Sequence, residues 1–198
     1  MPEGAKKLRA DTQRTRDRLL DVLGELLEKQ GLDVSLPDLA REAGVATATV
    51  YRHFDDVHEL RQEFYRRVVD TLLAEVATLN ASYQGRELFD RACESGVRVA
   101  STWARAATFI RSAEGYLERV HEGDVFVGRI DGVLRPILAQ LIDDGVIPDQ
   151  DLDYAVLIWI TLFDERVLVD LESTLGWSLE RVARTLSVTV LAALGATS

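Results

Sequence analysis

The chain has 198 residues, of which 47% are hydrophobic and 28% are charged, and its formal net charge is -10. A chain of this length and apolar content can bury a real core, which excludes disorder as its main state. Its one cysteine, Cys93, excludes an internal disulfide framework.

Charge is distributed unevenly along the chain. Residues 1–20 carry six basic and three acidic side chains, whereas residues 71–198 carry 11 basic and 19 acidic ones, a net charge of -8. This asymmetry predicts a small basic head on a large acidic body. The polar N-terminus lacks a signal peptide's apolar run, and the most apolar segment, Tyr154 to Phe163, is shorter than the roughly 20 residues of a membrane span. We therefore expect a cytoplasmic protein with no membrane contact.

The first predicted helix runs from Arg16 to Gln30, where leucines and valines recur at helical spacing and Gly31 supplies a stop. Residues 1–15 before it are predicted to be a flexible basic tail. A tail of this kind is usually a solvated chain end, and contact with an anionic partner is the equal alternative.

Two short helices with a tight turn between them follow. Ser35 and Asp38 have the spacing of a capping box, which predicts a helix over Leu36 to Ala43. Gly44 can take the left-handed conformation that the turn requires. A third helix is predicted from Thr47 to about His53. This arrangement is typical of a helix-turn-helix.

The second helix of such a motif can enter a DNA major groove. Small side chains on its first turn permit close approach, and methyl groups suit the thymine methyl, while cations hold phosphates. The stretch GVATATVYRHF supplies these residue types. The candidates for base or backbone contact are Thr47, Ala48, Thr49, Tyr51, Arg52 and His53. Phe54 is predicted to be a core residue.

The stretch LLDVLGELLEKQGLDVSLPDLAREAGVATATVYRHFDDVHEL, Leu19 to Leu60, resembles the DNA-binding domain of the TetR family of transcriptional regulators. The resemblance implies an all-α homodimer that binds a palindromic operator in double-stranded DNA and releases it when a small molecule binds. It also adds Ser35 and Arg41 to the predicted DNA-binding residues.

Four positions depart from the family pattern. Leu36 and Pro37 replace polar residues of the second helix, Ala46 replaces the usual cap of the third, and Val57 replaces a phosphate-gripping lysine at the start of the fourth. We therefore expect the basic residues from Lys6 to Arg18 to make more of the phosphate contact. The tail residues in the predicted site are Lys6, Lys7 and Arg9.

The remaining helices complete an all-α fold of about nine helices. Asp56 and Glu59 form a second box, for a helix from Val57 to about Asn80. Five more helices are predicted, at 85–104, 107–121, 124–144, 151–173 and 178–194. The predicted domains are a helix-turn-helix head at 16–66 and a ligand-binding and dimerisation domain at 67–198.

The last two helices are predicted to form the homodimer interface. The segment Tyr154 to Phe163 is apolar all round its helix, and Leu179 to Leu194 has small residues that permit close helix approach. The segment from Trp159 to Glu172 also faintly resembles relatives of the ethionamide-activation repressor.

An unidentified effector is expected in the same domain, because small-molecule sites are lined by aromatic groups with few polar ones. Ordinary core packing is the alternative for each candidate, and Asp164 is equally placed to pair with Arg166. The candidate ligand-binding residues are Trp103, Phe109, Tyr116, Phe126, Trp159, Phe163 and Asp164.

The sequence does not favour an enzyme. It contains no P-loop, no dinucleotide-binding glycine motif, no nucleophile elbow and no zinc-protease motif. We predict no cofactor, no metal site and no catalytic residue. The alternative from another class is a helical dimer of the same fold that acts through protein-protein contacts without reading an operator, and Asp55 and Asp56 slightly favour it.

Overall fold

The computed structural model of the protein describes residues 3–30, 34–107 and 114–196, and the side chains of residues 11–27, 29, 34–101 and 114–196. The described residues form helices and connecting turns without a strand, which confirms the all-α prediction. The chain divides into two compact units, residues 1–67 and residues 68–198.

The first unit, the head, contains the helix-turn-helix. Its helices are α1 (Glu3–Gln30), α2 (Leu36–Ala43), α3 (Thr47–Tyr51) and the first part of α4 (Val57–Asn80). The predicted bounds of α2 and α4 are confirmed, while α3 ends two residues before His53.

The predicted start of the first helix at Arg16 is wrong, because α1 begins at Glu3 and the backbone of residues 3–15 is helical where the sequence predicted a flexible tail. Polar groups one turn apart support the extension. Gln13 donates to Asp17 at 3.0 Å, and Arg14 lies 3.5 Å from Asp11. Such pairs each stabilise a helix by about 0.2–0.5 kcal/mol.

The second unit, the body, contains the rest of α4 and, in its described residues, six further α-helical segments. These are α5 (Gly85–Ala107), α6 (Tyr116–His121), α7 (Val125–Asp143), α8 (Leu152–Leu162), α9 (Glu165–Val169) and α10 (Leu179–Ala193), with one π-helical turn at Asp170–Thr174.

Two predicted helices of the body have different bounds in the structure. Of the one predicted over 107–121, Ala107 is the last residue of α5 and Tyr116–His121 forms α6, with Gly115 as its extended N-terminal cap; residues 108–113 lie outside the described ranges. The one predicted over 151–173 breaks at Phe163 and Asp164. The Asp164 carboxylate accepts a hydrogen bond from the backbone N–H of Arg166 at 2.8 Å and so starts α9 as a new helix.

Each unit buries apolar side chains. In the head, Val50 and Phe54 are buried with leucines of α1 and α2. In the body, Phe89 packs against Trp159 with ring centroids 4.7 Å apart. Cys93 is buried in the same cluster, and burial raises the pKa of its thiol, as expected of a small core residue. No helix in the described ranges is long and apolar enough to cross a membrane.

Candidate DNA-binding surface

The turn between α2 and α3 has the geometry of a helix-turn-helix. Gly44 has φ 65° and ψ 34°, a left-handed conformation that costs glycine little because it has no Cβ. Its N–H donates to the Arg41 carbonyl at 3.2 Å, and the N–H of Val45 donates to the Ala40 carbonyl at 3.0 Å. These bonds close the end of α2, so that α3 starts from a fixed turn.

Helix α3 presents its polar side chains away from the core. Val50 on the helix is buried, as is Phe54 shortly after its end, and the burial of Phe54 confirms its predicted core role. Tyr51 is 52% exposed, although tyrosine has a large apolar ring. The candidates that lie on the accessible side are Thr47, Ala48, Tyr51 and Arg52, which are exposed, and Thr49 and His53, which are half-buried. The five-residue helix therefore offers hydroxyl, methyl, phenol and guanidinium groups on one small surface.

The two candidates from α2 have side chains that already bind Asp38. The Ser35 hydroxyl accepts a hydrogen bond from the Asp38 N–H at 3.2 Å, and the Asp38 carboxylate accepts from the Ser35 N–H at 3.3 Å. This reciprocal pair confirms the predicted capping box. Arg41 donates to the same carboxylate at 2.7 Å but remains exposed, and the hydrogen bonds to Ser35 and Arg41 lower the pKa of Asp38. Ser35 thus has a structural role, and Arg41 keeps an accessible guanidinium.

His53 lies at the end of this surface, where its surroundings favour the neutral imidazole. Burial lowers the pKa of its imidazole from the ordinary value of 6.5, and the nearby cations Arg52 and Arg16 lower it further. A neutral imidazole donates one hydrogen bond without carrying a charge. Any contact of this imidazole with an anion would therefore depend on pH.

The acidic residues after α3 stabilise the start of α4. The Asp56 carboxylate accepts from the Glu59 N–H at 2.8 Å, and the Glu59 carboxylate accepts from the Asp55 N–H at 2.7 Å. The spacing of Asp56 and Glu59 was a capping signal in the sequence, and the capping hydrogen bond of Asp56 confirms it. This hydrogen bond explains why an aspartate stands at position 56, so Asp56 is weaker evidence for a protein-binding surface.

The basic residues of α1 fall into three groups. The side chains of Lys6, Lys7 and Arg9 lie outside the described ranges. Arg14 and Arg18 are exposed. The guanidinium of Arg18 lies beside Gly44 in the turn, with its Nη2 4.0 Å from the position that a Cβ atom on Gly44 would occupy. Arg16 points into the head and donates to the His53 carbonyl at 2.9 Å. Arg16 thus has a hydrogen-bond partner inside the head, while Arg18 is an exposed candidate that the predicted site omitted.

The candidate ligand-binding residues of the body are only partly brought together. The Trp103 side chain and all of Phe109 lie outside the described ranges. Trp159 is buried in the main body core, and Tyr116 and Phe163 pack against that core. Phe126 is half-buried on α7. Asp164 is buried and its carboxylate accepts from the Arg166 guanidinium at 3.0 and 3.1 Å, so the pairing alternative is the one observed.

A polar group that the sequence did not single out lies near Tyr116. Asp131 is buried on α7 and accepts two hydrogen bonds from Arg135, at 2.8 and 2.9 Å. Arg135 also donates to Asp153 at 2.7 Å. The Tyr116 hydroxyl is itself buried and has no hydrogen-bond partner among the described residues. Burial and then the Asp131 charge raise the pKa of Tyr116, so it remains a neutral donor.

Metal binding finds no support in the described ranges, where no three His, Cys, Asp or Glu residues group closely enough to hold an ion. The three histidines serve other contacts. His53 ends the α3 surface, His58 hydrogen-bonds Gln62 at 2.8 Å, and His121 lies 3.5 Å from Asp153.

Comparison with known proteins places the head in a family. Residues 19–64 match the model described as bacterial regulatory proteins, tetR family. The HTH-type transcriptional regulator AcrR of Shigella flexneri is 37% identical over 62 residues, which are 31% of this chain and 29% of that protein. The regulator SAR0097 of Staphylococcus aureus strain MRSA252 is 32% identical over 84 residues, which are 41% and 44% of the two chains. The chain thus matches less than half the length of these curated relatives.

Solved structures resemble the fold over most of the chain. The fatty acid degradation regulator FadR from Bacillus halodurans has a TM-score of 0.70 at 15% identity, covering 92% of this chain and 97% of that one. A TetR family transcription regulator from Marinobacter aquaeolei VT8 gives 0.63 at 17% identity, covering 96% and 100%. RolR, solved with the ligand resorcinol, gives 0.63 at 16% identity, covering 96% and 91%.

The fold and the exposed third helix define an all-α helix-turn-helix protein. Residues 19–64 are similar to the TetR family of bacterial regulatory proteins, and the chain as a whole shares the all-α fold of the solved structures.

Proposed function

We propose that the protein is a homodimeric repressor that binds a palindromic operator through α3 and releases it when a small molecule binds the body. The observation that carries the DNA-binding part is the accessible face of α3, where Tyr51 and Arg52 are exposed while Val50 and Phe54 anchor the helix in the core. Such a protein acts on chromosomal DNA and therefore in the cytoplasm.

The paired surface of α8 and α10 supports a homodimer. Both helices contribute to the body core, and each keeps a second, outward stripe with apolar members. On α8, Tyr154 and Leu157 are 49% and 36% exposed; on α10, Val188 is 52% exposed. Ala192 continues the α10 stripe one turn further. Two copies of a TetR-type head place their recognition helices in successive major grooves, about 34–36 Å apart.

The effector site is proposed in the body, at the predicted residues that lie near α6 and α8. The supporting observation is the buried hydroxyl of Tyr116, which has no hydrogen-bond partner in the part of the chain that the structure describes, since a polar group of this kind costs about 1–3 kcal/mol unless a partner satisfies it. An apolar molecule with one polar group would supply that partner. The RolR structure with resorcinol shows that a protein of this fold holds a small ligand.

Selection from a pool of random duplexes tests the operator proposal. We expect the purified protein to enrich inverted repeats whose half-site centres are about 10 base pairs, or a multiple of that distance, apart. A variant with Tyr51→Ala and Thr47→Ala should enrich nothing while keeping the wild-type helical content and melting temperature. Enrichment of the same sequences by wild type and variant would overturn the assignment of α3.

A library of apolar compounds with a single hydroxyl, carboxyl or carbonyl group tests the effector proposal. Compounds that raise the melting temperature of the wild-type protein should also release the selected duplex. The Tyr116→Phe variant should still bind that duplex but respond more weakly to these compounds. Equal responses of wild type and variant would place the effector elsewhere.

A further inference from the structure

Arg16 connects three separate parts of the head. From α1, its Nη1 donates to the backbone carbonyl of His53 at 2.9 Å, and its guanidinium carbon lies 4.5 Å from the centre of the Phe54 ring. From the same guanidinium, Nη2 lies 3.8 Å from Glu59 and Nε lies 3.6 Å from Glu63, both on α4. The side chain is 25% exposed, so these contacts are partly shielded from water.

The recognition helix α3 depends for its stability on contacts with residues outside the helix. Helix α3 has five residues, and helices much shorter than about 12 residues are not stable alone in water. At its N-terminal end Ala46 provides no side-chain cap. At its C-terminal end the His53 carbonyl would be left without an intrahelical partner, and Arg16 supplies a charged donor there. The α1 helix therefore holds the end of α3 that carries Tyr51 and His53.

Arg16 also balances negative charge beside the proposed DNA surface. Glu59 and Glu63 lie on the first two turns of α4, which begins just after α3. Carboxylates close to a DNA backbone oppose binding, because they repel the phosphates. One guanidinium between the two carboxylates reduces that repulsion without itself facing the DNA.

We infer that Arg16 is a positioning residue for α3: it fixes the recognition helix through the His53 carbonyl and the Phe54 ring, and it does not contact phosphate. The importance of this positioning for DNA binding rests on the proposed function, whereas the contacts of Arg16 with the rest of the head exist in the free protein. Two separate measurements therefore test the inference.

The first measurement is amide hydrogen exchange of the segment Thr47 to Phe54 in the free, full-length protein. Arg16→Met should raise exchange in this segment several-fold. Arg14→Met, which removes the same charge from an 81% exposed position of the same helix, should leave it unchanged. Arg16→Lys should resemble Arg16→Met, because an ammonium group cannot reproduce the planar guanidinium fork. Equal exchange in the Arg16→Met and Arg14→Met proteins would overturn the inference.

The second measurement is the salt dependence of binding to the selected duplex. Arg16→Met should weaken binding about tenfold, because the loss of a helix cap typically costs a free energy of this size. The slope of log affinity against log salt should stay at its wild-type value. A slope reduced by about 0.9 would mean that Arg16 contacts a phosphate, and would overturn the inference. If the wild-type protein binds no duplex, the proposed function fails, and the exchange comparison still decides whether Arg16 holds α3.

Discussion

His53 has a backbone and an imidazole that meet different partners. Its carbonyl accepts from Arg16, while its half-buried ring lies at the end of the α3 surface, where burial and two arginines lower its pKa below 6.5. Phosphates would act in the opposite direction, because a nearby negative charge favours the imidazolium form. The pKa of His53 in a DNA complex should therefore exceed that in the free protein.

We expect operator affinity to rise as the pH falls through the interval between these two pKa values, because binding then takes up a proton. Above the pKa of the complex, His53 is neutral in both states and affinity should be independent of its titration. The check is a set of anisotropy titrations between about pH 5.5 and 8, around the ordinary histidine pKa. His53→Gln should remove the dependence while His58→Gln, a histidine exposed on α4, keeps it. A pH profile that His53→Gln leaves intact would contradict this assignment.

Tyr116 offers a stability test at one atom. Its hydroxyl is buried without a partner among the described residues, so removing it should relieve a desolvation cost. We expect Tyr116→Phe to increase the free energy of unfolding by about 1 kcal/mol. Urea denaturation of the ligand-free protein measures this difference. Tyr83→Phe, a change of the same atoms at another half-buried tyrosine of the body, is the control. A destabilised Tyr116→Phe protein would mean that the hydroxyl has a bonding partner.

Among the elements, α2 and the turn that follows it could be predicted closely because their signals are local. The reciprocal bonds of Ser35 and Asp38 span three residues, and the left-handed Gly44 lies at the end of the same helix. The break at Phe163 could not be predicted in this way, since the apolar pattern continues across it. From the sequence, Asp164 is a charged residue within one long predicted helix. In the structure its carboxylate caps the N-terminus of a new helix, α9.

The role of Asp164 as a helix cap has a measurable cost. Asp164→Ala removes the bond to the Arg166 N–H and leaves the guanidinium of Arg166 without that partner. We expect the free energy of unfolding to fall by about 1–2 kcal/mol, in the absence of any effector. Thermal denaturation followed by circular dichroism measures it. Asp170→Ala, at an exposed aspartate of the next turn, should change stability by less than about 0.5 kcal/mol. Similar losses in both variants would argue against a specific cap.

At the scale of the whole molecule, contacts between distant residues carry what the sequence did not reveal. Arg16 and His53 are 37 residues apart, and no spacing rule connects them. The contact of Arg135 with Asp153, which is 18 residues away on another helix, likewise follows no spacing rule. The resemblance of residues Leu19 to Leu60 to a known family predicted the head, while periodicity predicted the body only as a set of helices.

If the proposed homodimer forms through α8 and α10, a charge placed on the exposed stripe of α10 should lower the molecular mass of the protein in solution. Val188→Glu places a carboxylate in the exposed stripe of α10, where two copies would bring like charges together, and should shift the protein from dimer to monomer. Val125→Glu, the same change at a 79% exposed valine of α7, should leave the dimer intact. Sedimentation equilibrium distinguishes the two species. A dimeric Val188→Glu protein would exclude this stripe as the interface.

The most direct test of the central claim is fluorescence anisotropy of the protein with its own upstream intergenic DNA, across a salt series and with competitor DNA. We expect saturable binding that survives the competitor, tightens steeply as salt falls and is lost when Tyr51→Ala and His53→Ala are combined. Equally weak binding of wild type and double variant to any duplex would contradict the claim that α3 reads DNA.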